Sequence, residues 1–472
     1  MSETPPVEDR HMTDAEALMW NLEKDPLLRS DFGNVTIVDR NPDTERMRGR
    51  LDAVAGAFPR LRRRVQPTFG RLAPPRWSDD PSFDVDYHVR RVGVPGTGTE
   101  RDLLDLAAAV LEDPFDRTRP LWRFWLVEGL ADGHGAVIQQ MHHTITDGEG
   151  GVRMSAMMLD LERDAIEPMM PIPEPADDGG PVLDEGRGPL AGAREALVHN
   201  ARRQVGVARR TAEEVIDRVR DPRQLPSLAA DAVATVQSLR RQLDSDSAHS
   251  PLWTSRSLSR RLVTTRVPLD DARRAAKGLG GTVNDFFVTG AAAAAGDYHR
   301  RLDHPTDELR ISMPVSTRSK GSNGGNAFAP TRVLVPTGEM DPAERFELVH
   351  DRLTTTKTER AIGVTQSLAG LVNLLPTSML VDTARRMIQT VDFAVSNVRG
   401  APFDLYMGGA KILANYPVGP TGGTAFNLTL LSSGGSLDMC LNCDCAAVGQ
   451  PALLVECLGL AYDELVAAGS GA

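Results

Sequence analysis

The run Met141-His142-His143-Thr144-Ile145-Thr146-Asp147-Gly148 holds the side chains best suited to chemistry in this 472-residue chain. An imidazole titrates near neutral pH, so a histidine can take a proton from an alcohol and hand it on. Ala136 to Met141 reads as an apolar strand and Gly150 to Leu161 as a helix, which places the histidines where a strand opens into a turn. Open α/β sheets expose functional groups at such strand ends. Successive strand side chains point to opposite faces, so His142 and His143 should not share a role: one enters a cleft, the other bonds or packs behind it. Asp147 can orient the turn through backbone amides or by pairing with an arginine. A second reading stays open at this point, in which both are hydrogen-bonded strand-end histidines without chemistry. A metal needs a third ligand at definable spacing; none accompanies the pair, so no metal is expected.

Two further patterns invite chemistry and resist it. Cys440, Cys443, Cys445 and Cys457 resemble a zinc set, but LDMCLNCDC alternates. As a strand it puts Cys443 and Cys445 on one face and Cys440 on the other, which cannot easily converge on one ion, so buried thiols are expected. The glycine-rich stretches at 321–325, 419–423 and 434–435 contain neither a phosphate-binding loop nor a dinucleotide fingerprint and read as turns. Trp122 and Trp125 read as core.

The elements that must position the histidines fall into a mixed α/β (α+β) pattern. We read residues 1–11 as a flexible N-terminus, 12–167 as one α/β half, 168–250 as a proline-rich crossover with a helical linker, and 251–472 as a second half. In the first half, Asp102 to Leu111 has helical spacing and Phe124 to Leu130 reads as a strand. The crossover holds two stretches with helical stripes; the first carries Arg202 to Arg220, as a solvated face or an anionic-membrane contact. In the second half, strands are expected at Arg261–Val267, Glu308–Pro314, Thr331–Val335, Phe393–Val398, Thr424–Leu431 and Ser436–Asn442. Helices are expected at Leu269–Gly278 and from a Thr282 cap to about Arg301. Asn284 and Asp285 then sit in a first helical turn, where helix-start chemistry alone would account for both.

Composition excludes several classes. Lys+Arg of 53 against Asp+Glu of 64 gives a net charge of −11, the opposite of a nucleic-acid binder. The cysteines lie together near the end and are not spread as a disulfide framework, which favours a reducing, cytoplasmic setting. The opening MSETPPVEDRH lacks the pattern of a signal peptide, and no apolar run of about 18 residues is present. No nucleophile elbow of the form G-x-S-x-G occurs, so a serine nucleophile of that kind is not favoured.

Taken together, these segments resemble the bacterial wax ester synthase/diacylglycerol acyltransferase family. HHTITDG resembles its HHxxxDG signature; Thr13 to Leu18 with Glu23 resembles its opening motif. Phe83-Asp84-Val85-Asp86-Tyr87-His88-Val89 resembles its FDLDYHV strand, and Pro120-Leu121-Trp122 its PLW segment. Asn284-Asp285, Pro314 to Arg318 and Val395 to Val398 follow in the family's order. Departures lie at Arg399-Gly400-Ala401-Pro402 and at Ser432-Ser433 with the cysteines. The resemblance implies two chloramphenicol-acetyltransferase-like domains with a channel between them, and fatty acyl transfer from acyl-CoA to a lipid hydroxyl. It implies His143 as general base, His142 as its lesser partner, and Asp147 with Gly148 as the structural end of the motif. Arg318 is the candidate partner for Asp147, Asn284 the donor supporting the site, and Asp285, Pro120, Leu121 and Trp122 structural supports. Acyl-CoA would be a co-substrate, with no resident cofactor and with peripheral membrane or lipid-droplet contact. The rivals are an acyltransferase of the same fold acting on another alcohol or an amine, and a lipid-binding relative with weak turnover.

Overall fold

The computed structural model describes residues 10–68, 73–146, 148–174, 250–316, 328–358 and 377–470. Asp147, Arg318, the arginine-rich stretch at 202–220 and nearly all of the crossover lie outside the described residues. Among the described residues no helix is long and apolar enough to cross a membrane.

Fourteen strands are described, most of them in two six-stranded sheets. They are β1 (Asp31–Val38), β2 (Arg63–Gln66), β3 (Arg76–Asp79), β4 (Val89–Gly93), β5 (Trp122–Glu128), β6 (Gly135–His142), β7 (Arg260–Pro268), β8 (Glu308–Ser316), β9 (Phe328–Pro336), β10 (Phe393–Arg399), β11 (Tyr406–Met407), β12 (Ala410–Val418), β13 (Phe426–Ser433) and β14 (Ser436–Asp444). The first sheet runs β11-β12-β1-β6-β5-β4 and the second β7-β14-β13-β10-β8-β9, with β2 and β3 forming a separate pair. The helices used below are α1 (Asp14–Leu22), α2 (Thr44–Ala57), α3 (Val85–His88), α4 (Glu100–Glu112), α5 (Gly148–Ala156), α6 (Leu269–Gly278), α7 (Val283–Arg301), α8 (Pro342–Thr358), α9 (Thr377–Ile388) and α10 (Pro451–Ser470).

Three departures from the sequence expectations have physical reasons. The segment resembling a strand at Phe83–Val89 is mostly α3, because Asp84 caps a short turn by accepting from the Asp86 N–H, and β4 starts only at Val89. The helix after the histidines ends at Ala156, short of Leu161. The third is larger. β11 and β12 belong to the second half in sequence, yet β12 pairs antiparallel with β1 and completes the first sheet. The boundary at 251 therefore divides the chain but not the sheets.

Burial explains why the first half reads as near-continuous apolar runs. Both faces of the first sheet are covered: Trp122, Phe124 and Met141 on one, Trp125, Ala136 and Ile138 on the other beneath α4. A strand covered on both faces loses its polar alternation. The expectation that Trp122 and Trp125 are core agrees with their burial. In the second sheet Met439, Leu441 and Cys443 point into a core under α7 and α10, while Cys440 joins the core beneath α4. Burial pushes the Cys440 thiol up to about 12 and Cys443 higher still, so both are inert neutral thiols. Gly434 and Gly435, both with positive φ, form the two-residue turn that joins β13 to β14.

The two sheets are tied by a polar chain. Arg266 Nε on β7 donates to Asp438 Oδ1 at 2.7 Å, and the Asn415 N–H on β12 donates to Asp438 Oδ2 at 2.7 Å. Asn415 Oδ1 then accepts from Thr36 Oγ1 of β1 at 2.9 Å and from Asn34. Asp438 is 1% exposed. A buried carboxylate that accepts two directed hydrogen bonds fixes geometry, and losing its charge weakens both. Asp438→Asn should lower stability by about 2–3 kcal/mol, the scale of hydrogen bonds to charged groups, measured as a fall in urea midpoint.

Candidate functional site

The register of β1 against β6 decides where each histidine goes. Asp31 lies opposite His142 and Phe32 opposite Met141. Directly opposed residues share a sheet face, so His142 stands with Asp31 on the α4 side, and the next residue turns the other way. His143 leaves the strand, donates its backbone N–H to Ser30 O at 3.1 Å, and rests its ring against Phe32 with centroids 4.6 Å apart.

His142 is held at both ring nitrogens. Its Nδ1 accepts from the Thr144 N–H at 3.1 Å and lies 2.7 Å from Thr144 Oγ1. An accepting Nδ1 puts the proton on Nε2, which faces Glu23 Oε1 at 2.6 Å. The side chain is 1% exposed. Glu23 is the C-cap residue of α1 and also accepts from the Ser30 N–H at 2.8 Å and from Arg117 at 3.0 Å. Burial raises the Glu23 carboxyl, but the His142 ring that faces it and is hydrogen-bonded to it, the Ser30 amide and Arg117 together hold it below its ordinary range. Asp31 goes the other way. Burial and the Glu23 charge raise its carboxyl, against the pull of His142 and its ion pair with Arg29.

Helix α1 braces the turn twice. Thr13 and Glu16 form a capping box, and the buried Glu16 takes Arg60 at 2.6 Å, which also donates to Thr144 O at 3.1 Å. Glu16 and Glu23 stand seven residues apart, on one helical face. That spacing was the available signal for Glu23, whose part in the site the sequence reading did not assign, as it did not for Glu16, Arg60, Asp31 or Arg117. Ligand atoms of Glu23, Asp31 and His142 lie within 4.8 Å of one another, a triplet no sequence spacing had disclosed. Arg117 and Arg29 already neutralise the two carboxylates, so a cation there would displace existing ion pairs.

Pro120, Leu121 and Trp122 support the strand beneath. Leu121 O accepts the His142 N–H at 3.0 Å, and Pro120 O accepts the Trp122 N–H at 3.1 Å. Trp122 Nε1 donates to Leu61 O at 2.8 Å, and the Trp122 carbonyl accepts from His88 Nδ1 at 2.7 Å. The His88 ring stacks on Trp122 at 4.2 Å; burial brings it down to about 4, leaving it neutral.

Asn284 arrives from the second half. Thr282 caps α7 in a reciprocal box with Asp285, whose Oδ2 also accepts from His350 Nδ1 at 2.9 Å. Asn284, next to it in the first turn, accepts from Asn397 Nδ2 of β10 at 3.2 Å through Oδ1. Its own Nδ2 is buried and has no acceptor among the described residues. Helix α5, which Gly148 begins, packs on β10, so the histidine turn and Asn284 are linked through α5 and β10. Asp147 and its candidate partner Arg318 lie outside the described residues.

With this geometry in place, the likenesses to known proteins are informative. Residues 12–287 match the wax ester synthase/diacylglycerol acyltransferase catalytic domain and residues 324–466 the C-terminal domain of the same family. The chain is 34% identical to a putative diacylglycerol O-acyltransferase of Mycobacterium tuberculosis, over 99% of this chain and 94% of that protein. A probable diacylglycerol O-acyltransferase of the same organism is 29% identical over 80% of this chain and 81% of its own length. Among solved structures, the wax ester synthase/diacylglycerol acyltransferase of Marinobacter aquaeolei aligns with a TM-score of 0.65 at 21% identity, covering 98% of this chain and all of that one. A starter condensation domain of rhizomide synthetase, in complex with C8-CoA and Leu-SNAC, aligns with a TM-score of 0.59 at 13% identity, covering 98% and 94%.

The opposite shifts at Glu23 and Asp31 give opposite pH signatures. A depressed carboxyl adds stability above its ordinary value of 4.5, lost as pH falls through the folded value; a raised one subtracts stability above its ordinary 3.8. Glu23→Gln should therefore lower the urea midpoint at pH 7, with the deficit closing in acid. Asp31→Asn should raise the midpoint at pH 7, with the gain gone below about 3.8. Matching pH profiles for the two variants would contradict the assignment.

Proposed function

We propose a mechanism from one premise: the chain belongs to the wax ester synthase/diacylglycerol acyltransferase family. It is an acyltransferase with a two-domain, chloramphenicol-acetyltransferase-like fold. In our reading the donor is a fatty acyl-CoA and the acceptor a lipid hydroxyl, of diacylglycerol or a long-chain alcohol. The names of the relatives support the acceptor class, and the C8-CoA held by a condensation domain of like fold supports the donor.

His143 is the general base. It takes the hydroxyl proton as the acceptor oxygen attacks the thioester carbonyl. Negative charge then develops on that carbonyl oxygen, where a donor is worth most. Asn284 Nδ2 is the donor we assign, supported by its burial and by its lack of an acceptor among the described residues. Collapse of the tetrahedral intermediate expels CoA as thiolate, and the His143 imidazolium returns the proton to sulfur. The observation that carries this reading is the state of the neighbouring histidine. Both ring nitrogens of His142 are taken up behind the turn, by Glu23 and by Thr144, so it serves as a brace and leaves proton transfer to His143. The chemistry as written needs no resident cofactor, and CoA enters as co-substrate. We assign Asp147 and Gly148 to shaping the turn, with Arg318 as partner of Asp147. An apolar product leaves most readily into a lipid surface, so peripheral contact with membrane or lipid inclusions is part of the proposal.

The test is release of free CoA thiol from palmitoyl-CoA, with no acceptor, with hexadecanol and with diacylglycerol. His143→Ala should cut acceptor-dependent release by about 10²–10⁴-fold, the usual worth of a general base. Asn284→Ala should cut it by about 10²–10³-fold, the worth of one oxyanion donor. Equal release by wild type and His143→Ala would remove His143 as base. Release with neither lipid would move the acceptor to another alcohol or an amine.

A further inference from the structure

Away from the histidine turn, a cavity of about 360 Å³ lies among α7, α8 and α10. That size is within the range of small-molecule sites. Two of its lining side chains have hydrogen-bonding capacity that no described residue takes up. Arg345, in the first turn of α8, is 4% exposed; it donates through Nη2 to Gly338 O at 2.6 Å, and its Nε is buried with no partner among the described residues. Among the described residues no carboxylate lies within ion-pair distance of Arg345, although buried cations are ordinarily paired. Thr289 on α7 is 0% exposed, and its Oγ1 has no hydrogen-bond partner among the described residues.

The other charges of the cavity do not resolve this. Asp297 is engaged by Arg301 at 2.8 Å and by Arg300 at 3.4 Å. Arg301 is also held by Glu456 at 2.8 Å. Glu339 and Glu464 are solvent-exposed at the rim. Burial, and then the Arg300 charge, lower the affinity of the Arg345 guanidinium for its proton, and the Glu464 carboxylate at the rim offsets this only in part. An anion in the cavity would give the Arg345 guanidinium the counter-charge it lacks among the described residues, and would accept from Arg345 Nε and from the Thr289 hydroxyl.

We propose that this cavity is a second, non-catalytic site that takes a small oxyanion, a phosphate or a carboxylate, on Arg345 and Thr289. Leu460 and Leu465 line the same space, so a carboxylate with a short alkyl tail would also bury apolar surface. The site lies on the outer helical layer of the second half and shares no residue with the histidine turn.

Isothermal titration of the full chain with inorganic phosphate and with octanoate, at constant ionic strength set by chloride, tests it. Saturable binding of either ligand is expected, tighter for octanoate if the alkyl tail is recognised and equal if only the anion is. Arg345→Met should weaken it by at least about tenfold, the loss expected for a charge-assisted hydrogen bond. Thr289→Val, close to isosteric, should weaken it by a smaller factor and covers the case in which Arg345→Met does not fold. Binding of neither ligand by wild type, or unchanged binding in the folded variants, overturns the proposal. His143→Ala should leave the titration unaltered, so failure here is distinguishable from failure of the acyl-transfer reading.

Discussion

The site depends first on β1 and on what pairs with its two edges. One edge takes β6, which carries the histidines; the other takes β12, from more than 370 residues further along the chain. A strand has period two, so a slip of one residue between β1 and β6 would exchange the environments of His142 and His143. It would bring Glu23 and Asp31 to the wrong imidazole. Fixing β1 on both edges prevents that slip, and the Arg266–Asp438–Asn415–Thr36 chain fixes β12 in turn against the second sheet. The strand behind the histidine turn is thus secured on its far edge by a strand from the second half.

Behind the turn, charge is concentrated at a cost. Glu23, Asp31 and His142 are buried together, and a buried ion pair repays its desolvation only when its geometry and hydrogen bonds are good. Here Glu23 makes directed contacts to the His142 ring, the Ser30 amide and Arg117, enough to keep it ionised. Asp31, with less support and a like charge beside it, is the member that yields. The gain is orientation more than stability. A histidine whose two nitrogens are committed cannot swing into the path of its neighbour, and the loop that carries His143 is anchored by Thr144 and Arg60 on the same scaffold.

Much of this was legible in the sequence where the signal is local. The α6 helix, the Thr282 cap of α7 and the strands β7, β8, β10, β13 and β14 follow from periodicity and capping residues. Alternation along LDMCLNCDC was enough to place Cys440 and Cys443 in different cores. What was not legible is non-local. Ala410 to Val418 reads as apolar chain, but nothing in it says that its partner is β1 in the other half. The Glu23 carboxylate carries no mark of its target, because a capping-region acid looks the same whether it meets solvent or an imidazole 119 residues away. The departure at Arg399 to Pro402 falls where β10 ends at Arg399, and the Gly400 N–H still donates to Ser432 O one residue beyond the strand.

The division of labour between the halves has a mechanistic consequence. The proposed base, His143, sits at the first sheet's strand end, while the proposed donor, Asn284, sits at the start of a helix packed on the second sheet. Catalysis by preorganised dipoles works only when the donor is already in place as charge develops, since a donor that must move costs reorganisation at that moment. Asn284 is kept in place by Asn397, and its helix start by the Thr282–Asp285 box and His350, a set of bonds made entirely within the second half. The proposed base is held directly by first-half groups, by Ser30 and by the brace on its neighbour. Each half therefore presets its own group, and their mutual alignment is left to the exchanged strand and to α5 against β10. Errors in that alignment would act on transition-state stabilisation while leaving each half's fold intact, which is the behaviour expected of a site built across two domains.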